Sequence, residues 1–324
     1  MKSKSKGNGL VLVSLVFTMI VWGNIAPVTK LALEGFPPFT LATIRVGLSA
    51  AIFVIVLIVV KDEGWRIRRG DWPEVIFLGL MGNTVSIALQ VVGVGHTTGV
   101  NGTLMLATGP VWIATLSVIW LRERMPALVI AGIVIAFAGT AVIIGVNPFS
   151  MQNIFSAATL PGDLMVLGCE VAWAIYSVFG RRTMRKYDPI PFTAWTTIVG
   201  AIGFIPLMGW ELATSGSAVS PTLSSIGAAA FLAIFAALIG HLIWFWAISR
   251  VGAPKAGIFL FLLPLSGVLA SMLILGERLT AGFILGLLMV LAGLVFVNRG
   301  EARAARLIKA AAGREEPRET FVKQ

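Results

Sequence analysis

Charge is what this chain has least of. Asp, Glu, Lys and Arg make up 12% of its 324 residues, against about 25% in a soluble domain. A surface so poor in charge cannot mostly face water, which excludes the ordinary soluble classes. Cysteine occurs once, at Cys169, so an internal disulfide and any Cys-based metal cluster are excluded. The two histidines, His96 and His241, are too far apart to form an HxxxH-type ligand pair, and neither a metal nor a cofactor is expected. Acidic residues number 15 against 25 basic ones, for a formal net charge of +10. A nucleic-acid partner would need a soluble basic face with exposed aromatics. Here the cations fall between apolar runs, so the charge reads as a topology signal and no nucleic acid is expected.

What the chain has in abundance is apolar length. Hydrophobic residues are 57% of the total, and the mean hydropathy is +0.91. A hydrocarbon core of ~30 Å takes about 20 apolar residues per helix. Runs of that kind predict ten transmembrane helices, at 9–29, 38–60, 73–95, 98–121, 125–146, 160–180, 189–210, 224–248, 254–275 and 279–298. Lys2, Lys4 and Lys6 precede the first run as in a signal peptide. The run is too long for an h-region, has no small-x-small cleavage site, and is followed by nine more. The fold class expected is an all-α integral membrane protein.

The cations give the orientation. Twenty-two of the 25 fall on one side if the chain starts in the cytoplasm. They lie in the N-terminal arm, in the loop of Lys61, Arg66, Arg68 and Arg69, at Arg122 and Arg124, in the cluster Arg181, Arg182, Arg185 and Lys186, at Arg250 and Lys255, and in the tail from Arg299. Only Lys30 and Arg278 fall outside, and Arg45 lies within the second run. Cations hold loops on the cytoplasmic side. The expectation is a multi-pass protein of the cell (inner) membrane with both termini cytoplasmic. The outer stretches 147–159 and 211–223 are rich in turn formers and read as turns or mobile loops. The tail reads as a solvated cytoplasmic segment, with an extension of the last helix or contact with anionic lipid as alternatives.

The sequence also repeats itself. At an offset of 154, residues 110–143 match 264–297 through Pro110/Pro264, Ser117/Ser271, Glu123/Glu277, Arg124/Arg278, Gly132/Gly286 and Gly139/Gly293. Trp22 aligns with Trp173, Lys30 with Arg181, the Pro38-Phe39-Thr40 triplet with Pro191-Phe192-Thr193, and Gly47 with Gly200. Each half holds five helices. Five is odd, so the second half enters the membrane upside down, and the corner Glu123-Arg124 faces inward while Glu277-Arg278 faces outward. Inverted repeats are the usual architecture of secondary transporters.

These features together resemble the drug/metabolite transporter superfamily with two EamA-type domains. The resemblance rests on the WG of the first helix, the Trp173–Arg182 stretch of the sixth, the Pro-to-Glu-Arg corners and the five-plus-five duplication. It spans about residues 9–298 and implies a ten-helix carrier of small metabolites or drugs, often an exporter of amino acids. The domains expected are a first repeat at 1–146, an outer linker at 147–159, an inverted second repeat at 160–298 and a cytoplasmic tail at 299–324. Pro27 departs from the common form of the first helix and is expected to kink its outer end.

Candidate substrate contacts are the polar and aromatic groups at mid-depth, which are costly in lipid and so face a cavity or a neighbour. Glu170 shares a helical face with Trp173 and Ser177, and the matching face of the first helix carries Trp22, with Asn24 adjacent. An acid beside two pseudo-equivalent tryptophans is a seat for a substrate ammonium and for a proton. The structural alternative is a packing residue paired with Arg45. The third and eighth helices bring a matched stripe, Asn83, Ser86, Ile87 and Gln90 against Ala237, Gly240, His241 and Trp244. Thr108 precedes Pro110, and Pro264 marks the same depth in the ninth helix; a proline there either frees a carbonyl for ligand or water or is a simple packing kink. Trp65, Trp72, Trp120, Trp195 and Trp210 read as interfacial anchors, and the small residues of the fifth and tenth helices as close packing within the fold or a homodimer.

The function expected is therefore secondary transport, in the direction of export, of an amino acid or related zwitterion by alternating access, with a proton as a candidate coupling ion. The partners expected are a small-molecule substrate and the bilayer, with the chain a monomer or homodimer. An integral membrane enzyme acting on lipid, and a drug- or sugar-type carrier of the same fold, stay open as alternatives. The enzyme would need clustered His, Asp or Glu at headgroup level, which the sequence lacks.

Overall fold

The computed structural model describes residues 3–60, 62–97, 105–106, 108–121, 125–143, 159–214, 219–263 and 265–267, with parts of 284–303. Six helices are long and apolar enough to cross a membrane: α1 (Gly9–Leu33), α2 (Pro38–Val60), α3 (Arg69–Gly95), α6 (Leu160–Thr183), α7 (Pro189–Thr214) and α8 (Leu223–Val251). Four shorter apolar helices, α4 (Gly109–Trp120), α5 (Ala127–Gly139), α9 (Lys255–Gly267) and α10 (Ile284–Val297), fall where the hydropathy places the remaining spans. No strand occurs among the described residues. The corners Glu123-Arg124 and Glu277-Arg278, Pro264, residues 147–158 of the linker and the tail from residue 304 lie outside them.

The two halves meet through glycine. A Cβ on Gly132 would fall 2.7 Å from the carbonyl of Gly293, and one on Gly139 would fall 2.7 Å from the carbonyl of Gly286. The partner's number falls as the residue's own number rises, so α5 and α10 cross antiparallel. At the repeat offset Gly132 corresponds to Gly286 and Gly139 to Gly293, so the two contacts exchange under a two-fold axis across the helices. That is the contact an inverted repeat makes with its own copy. The small residues of these helices therefore pack within the fold. The same exchange recurs elsewhere: α3 and α4 pack on α6, as α8 and α9 pack on α1.

Local chemistry explains where the helices bend. α1 breaks at Asn24, between pieces Ser3–Gly23 and Ile25–Leu33. Pro27 lacks an N–H and its ring collides with the carbonyl of Gly23, so the kink falls just before the proline. Gly23 also admits α9, since a Cβ there would fall 2.4 Å from the Leu263 carbonyl. α3 and α8 each widen into a π-helical turn, at Leu80–Val85 and Leu232–Ile239. At the offset of 154 the first turn maps inside the second. Such turns loosen the ladder of backbone hydrogen bonds and collect at functional sites. Gly252, with φ of 89°, turns the chain from α8 into α9.

Ties at both ends hold the bundle. Stretch 211–223 reads as loop in the sequence, but α7 runs on to Thr214 and buries Glu211. The reason is a cap. Its carboxylate accepts from Phe39 N at 2.8 Å, Thr40 N at 2.7 Å and the Thr40 hydroxyl at 2.8 Å, satisfying amides at the positive end of α2. At the other end Lys186 Nζ and the Tyr187 hydroxyl donate to Asp71, each at 2.6 Å, and the Asp71 carboxylate holds the Lys186 ammonium above its ordinary pKa. Trp195 Nε1 donates to the Trp65 carbonyl at 2.9 Å and stacks edge-on against Trp72. Trp120 and Trp210 are exposed, as interfacial anchors are.

Replacing Gly139 by Leu drives a side chain into the Gly286 carbonyl, and overpacking of this kind costs about 1–3 kcal/mol. Gly139→Leu is expected to lower the thermal unfolding midpoint in detergent. Gly227→Leu, where nothing lies within 4 Å of the added Cβ, should leave it unchanged.

Candidate functional site

The two pseudo-equivalent tryptophans meet near the middle of the bundle. Trp22 and Trp173 pack edge-to-face with ring centroids 5.3 Å apart. His241 lies 5.0 Å from Trp173 and 5.9 Å from Trp22, and Trp244 lies 5.4 Å from Trp22. The π-helical turn of α8 fixes this group. Its Ala236 carbonyl accepts from Trp22 Nε1 at 3.0 Å, and its Ala233 carbonyl accepts from the Ser49 hydroxyl at 2.7 Å. Gly240 leaves the room Trp22 needs, since a Cβ there would come 2.4 Å from the indole nitrogen.

Beside these rings is a cavity of about 60 Å³. Trp22, Ile25, Trp173 and His241 form its floor. Arg45 of α2, Ser86, Ile87 and Gln90 of α3 and Glu170 of α6 form its walls, with Leu106, Leu260 and Leu263 closing it. Arg45, Gln90 and Glu170 all lie toward the end where α3 stops and α6 begins. Toward the opposite end the space is filled. Tyr176, Phe192 and Phe245 are fully buried, with Phe245 centred 4.6 Å from Tyr176 and 4.9 Å from Phe192. Trp244 Nε1 donates to the Ser177 hydroxyl at 3.1 Å. At the repeat offsets, the counterparts of Tyr176, Ser177, Trp244 and Phe245 are Ile25, Ala26, Gln90 and Val91. One half thus supplies an aromatic plug, and the other smaller groups and an amide.

The cavity holds both signs of charge. Glu170 is 7% exposed, and among the described residues it accepts a long hydrogen bond from the Cys169 thiol, at 3.9 Å. Gly109 makes room for the carboxylate, since a Cβ there would fall 2.3 Å from Glu170 Oε2. Arg45 is 2% exposed and donates from Nη1 to Gln90 Oε1 at 2.9 Å. Its Nε, like His241 Nδ1, has no hydrogen-bond partner among the described residues. Glu170 and Arg45 line one cavity, yet no ion pair within 4.0 Å joins them. The packing alternative for Glu170, a direct pair with Arg45, is therefore not what the structure forms.

Of the ten residues singled out in the sequence, Trp22, Gln90, Glu170, Trp173 and His241 come together around the cavity. Trp244 and Ser177 lie beneath it, bonded to each other. Asn83 sits in the π-helical turn of α3 and donates to the Thr196 carbonyl at 3.3 Å. Thr108 donates to the Met105 carbonyl at 2.6 Å and accepts from Trp112 Nε1 at 3.1 Å. Asn24 donates to the Ile20 carbonyl at 2.8 Å, at the break in α1. These last three are not brought to the cavity. Arg45 is the wall residue that reasoning from sequence assigned only to packing. Its signal was available as a cation well inside a predicted span, the eighth residue of 38–60.

Trp22→Phe keeps the ring packing but strips the donor from the Ala236 carbonyl. An orphaned buried acceptor costs about 1–3 kcal/mol, so a lower unfolding midpoint in detergent is expected, while Trp120→Phe at the exposed surface should have none of that effect.

Comparison with known proteins agrees with the geometry. The model of the EamA-like transporter family matches twice, over residues 9–145 and 160–299. The chain is 30% identical over 285 residues to an uncharacterized transporter of Archaeoglobus fulgidus, covering 88% of this chain and 97% of that one. It is 23% identical over 287 residues to a "probable terminal-alkyne amino-acid exporter" of Streptantibioticus cattleyicolor, covering 88% and 92%. A protein of known crystal structure shares the fold with a TM-score of 0.75 at 18% identity, over 91% of this chain and 99% of that one. The protein is thus a multi-pass membrane transporter with a duplicated architecture and not an enzyme, and it belongs to the EamA-like transporter family within the drug/metabolite transporter superfamily.

Proposed function

We propose that this transporter exports an amino acid or a closely related zwitterion across the cytoplasmic membrane by alternating access, with both termini in the cytoplasm. The observation that carries the reading is Glu170, a carboxylate inside the bundle that forms no ion pair among the described residues. A buried carboxylate without a partner is costly in lipid, and a substrate ammonium resting on Trp22 and Trp173 supplies the missing charge. Aromatic faces add cation–π attraction for such a group. Between substrates the same carboxylate is the seat for a coupling proton. The two-fold relation between the halves gives the exchange of access its physical basis, since two inverted halves can trade conformations. The name of the Streptantibioticus cattleyicolor relative points to the same substrate class. Drug- or sugar-type cargo is disfavoured by a cavity walled by one carboxylate and one guanidinium.

The test is flux of labelled amino acids from loaded proteoliposomes. Glu170→Gln is expected to reduce efflux at least ten-fold, with the purified variant keeping a monodisperse elution profile and a cooperative unfolding transition. Glu170→Asp should retain part of the flux. Full transport by a folded Glu170→Gln protein would remove the carboxylate from the mechanism.

A further inference from the structure

A guanidinium carries five N–H donors in a fixed fork and no acceptor. Arg45 is 2% exposed within an apolar helix, yet the one side-chain acceptor it meets among the described residues is the neutral amide oxygen of Gln90, at 2.9 Å. Its Nε has no partner, and no carboxylate lies within 4.0 Å of it among the described residues. A cation so placed is costly, and in native interiors such a group is paired with an anion. The nearby thiol of Cys169 bonds with the Ser86 hydroxyl at 3.5 Å and approaches Glu170. Glu170 shares the cavity but stays apart. The guanidinium is an anion site without its anion.

Gln90 prepares that site. Its oxygen is held by Arg45, which leaves its NH₂ to donate. Amide and guanidinium are then neighbouring donors on the cavity that Glu170 also lines, and such a pair suits the planar fork of a carboxylate. We infer that Arg45, positioned by Gln90, receives the substrate's carboxylate and makes the transporter selective for zwitterions over amines and acids of the same shape. The inference rests on the zwitterion reading of Glu170. The logic is charge balance. A zwitterion neutralises both walls, whereas an amine leaves Arg45 unpaired and an N-acyl acid offers no ammonium to take the place of the proton on Glu170. Sites that bury polar groups for a particular ligand reject analogues lacking the matching group far more strongly than apolar pockets reject a missing methylene.

Isothermal titration calorimetry on the purified full chain tests this, with leucine and phenylalanine against isoamylamine, phenethylamine and the N-acetyl amino acids. The wild type is expected to bind at least one amino acid ten-fold or more tightly than its decarboxylated amine. Arg45→Gln should weaken the amino acid at least ten-fold and leave the amine within about two-fold, so that the ratio falls toward one. Arg45→Lys should restore part of it. A purely structural role for Arg45 would weaken both ligands alike, and that result overturns the inference. So does a wild type that binds amine and amino acid equally, an outcome that leaves the Glu170 reading standing if amine binding is lost in Glu170→Gln. Binding of no amino acid at millimolar concentration overturns both. If Arg45→Gln does not fold, Gln90→Leu takes its place. It keeps the guanidinium and removes its positioning, and an unchanged ratio there counts against the inference.

Discussion

Inside a bilayer no water reaches the helices, so each polar group must find its partner within the chain. That constraint organises this structure. The Ala233 and Ala236 carbonyls in the π-helical turn of α8 are taken by Ser49 and Trp22. Thr84 donates from the equivalent turn of α3 to the Gly200 carbonyl at 3.0 Å. The Tyr176 hydroxyl pairs with Thr196 at 2.6 Å, and Glu211 satisfies the start of α2. Against this background the ionisable groups left incompletely paired are informative. Glu170, Arg45 and His241 come from three different helices and face one cavity. Thr29, Asn83, Ser117 and Thr197 also bury an oxygen with no partner among the described residues, but these are neutral groups, and it is the gathering of ionisable groups around one space that the proposed ligand accounts for.

The two-fold relation gives the cavity its position and its asymmetry. Glycines at the α5–α10 crossing let equivalent helices of the two halves touch backbone to backbone. The equivalent tryptophans Trp22 and Trp173 meet in the interior. The symmetry is in the backbone, and the side chains break it. One half places Tyr176, Trp244 and Phe245 where the other has Ile25, Gln90 and Val91. The result is a bundle closed by aromatic packing toward one end, with a polar cavity toward the other. Under the proposed alternating access, the aromatic cluster would separate while the smaller residues of the other half close.

Much of this was legible in the sequence because lipid imposes strong patterns. Long apolar runs located the helices, and the Gly132/Gly286 and Gly139/Gly293 pairs announced a repeat whose contact the structure then supplied. Glu170 stood out as an acid in an apolar run, and its helical spacing from Trp173 carried it to the cavity wall. Other features left weaker traces. A π-helical turn has the composition of the helix around it, so Leu80–Val85 and Leu232–Ile239 gave no signal. Arg45 was visible as an isolated cation, but paired and cavity-facing arginines look alike in one dimension. Asn83, Asn24 and Thr108 looked the same as Gln90 until the structure showed their hydrogen bonds closing on nearby backbone or side chains. Glu211 read as loop because the group it caps, the start of α2, is 171 residues away.

The central claim is that an aromatic floor and two opposed charges hold one zwitterion at the meeting point of the halves. A structure of the protein in lipid nanodiscs with a bound amino acid tests it most directly. The account predicts ligand density resting on Trp22 and Trp173, its ammonium at Glu170 and its carboxylate at Arg45 and Gln90. Density elsewhere, or a Glu170–Arg45 ion pair closing the cavity while ligand is bound, would contradict it.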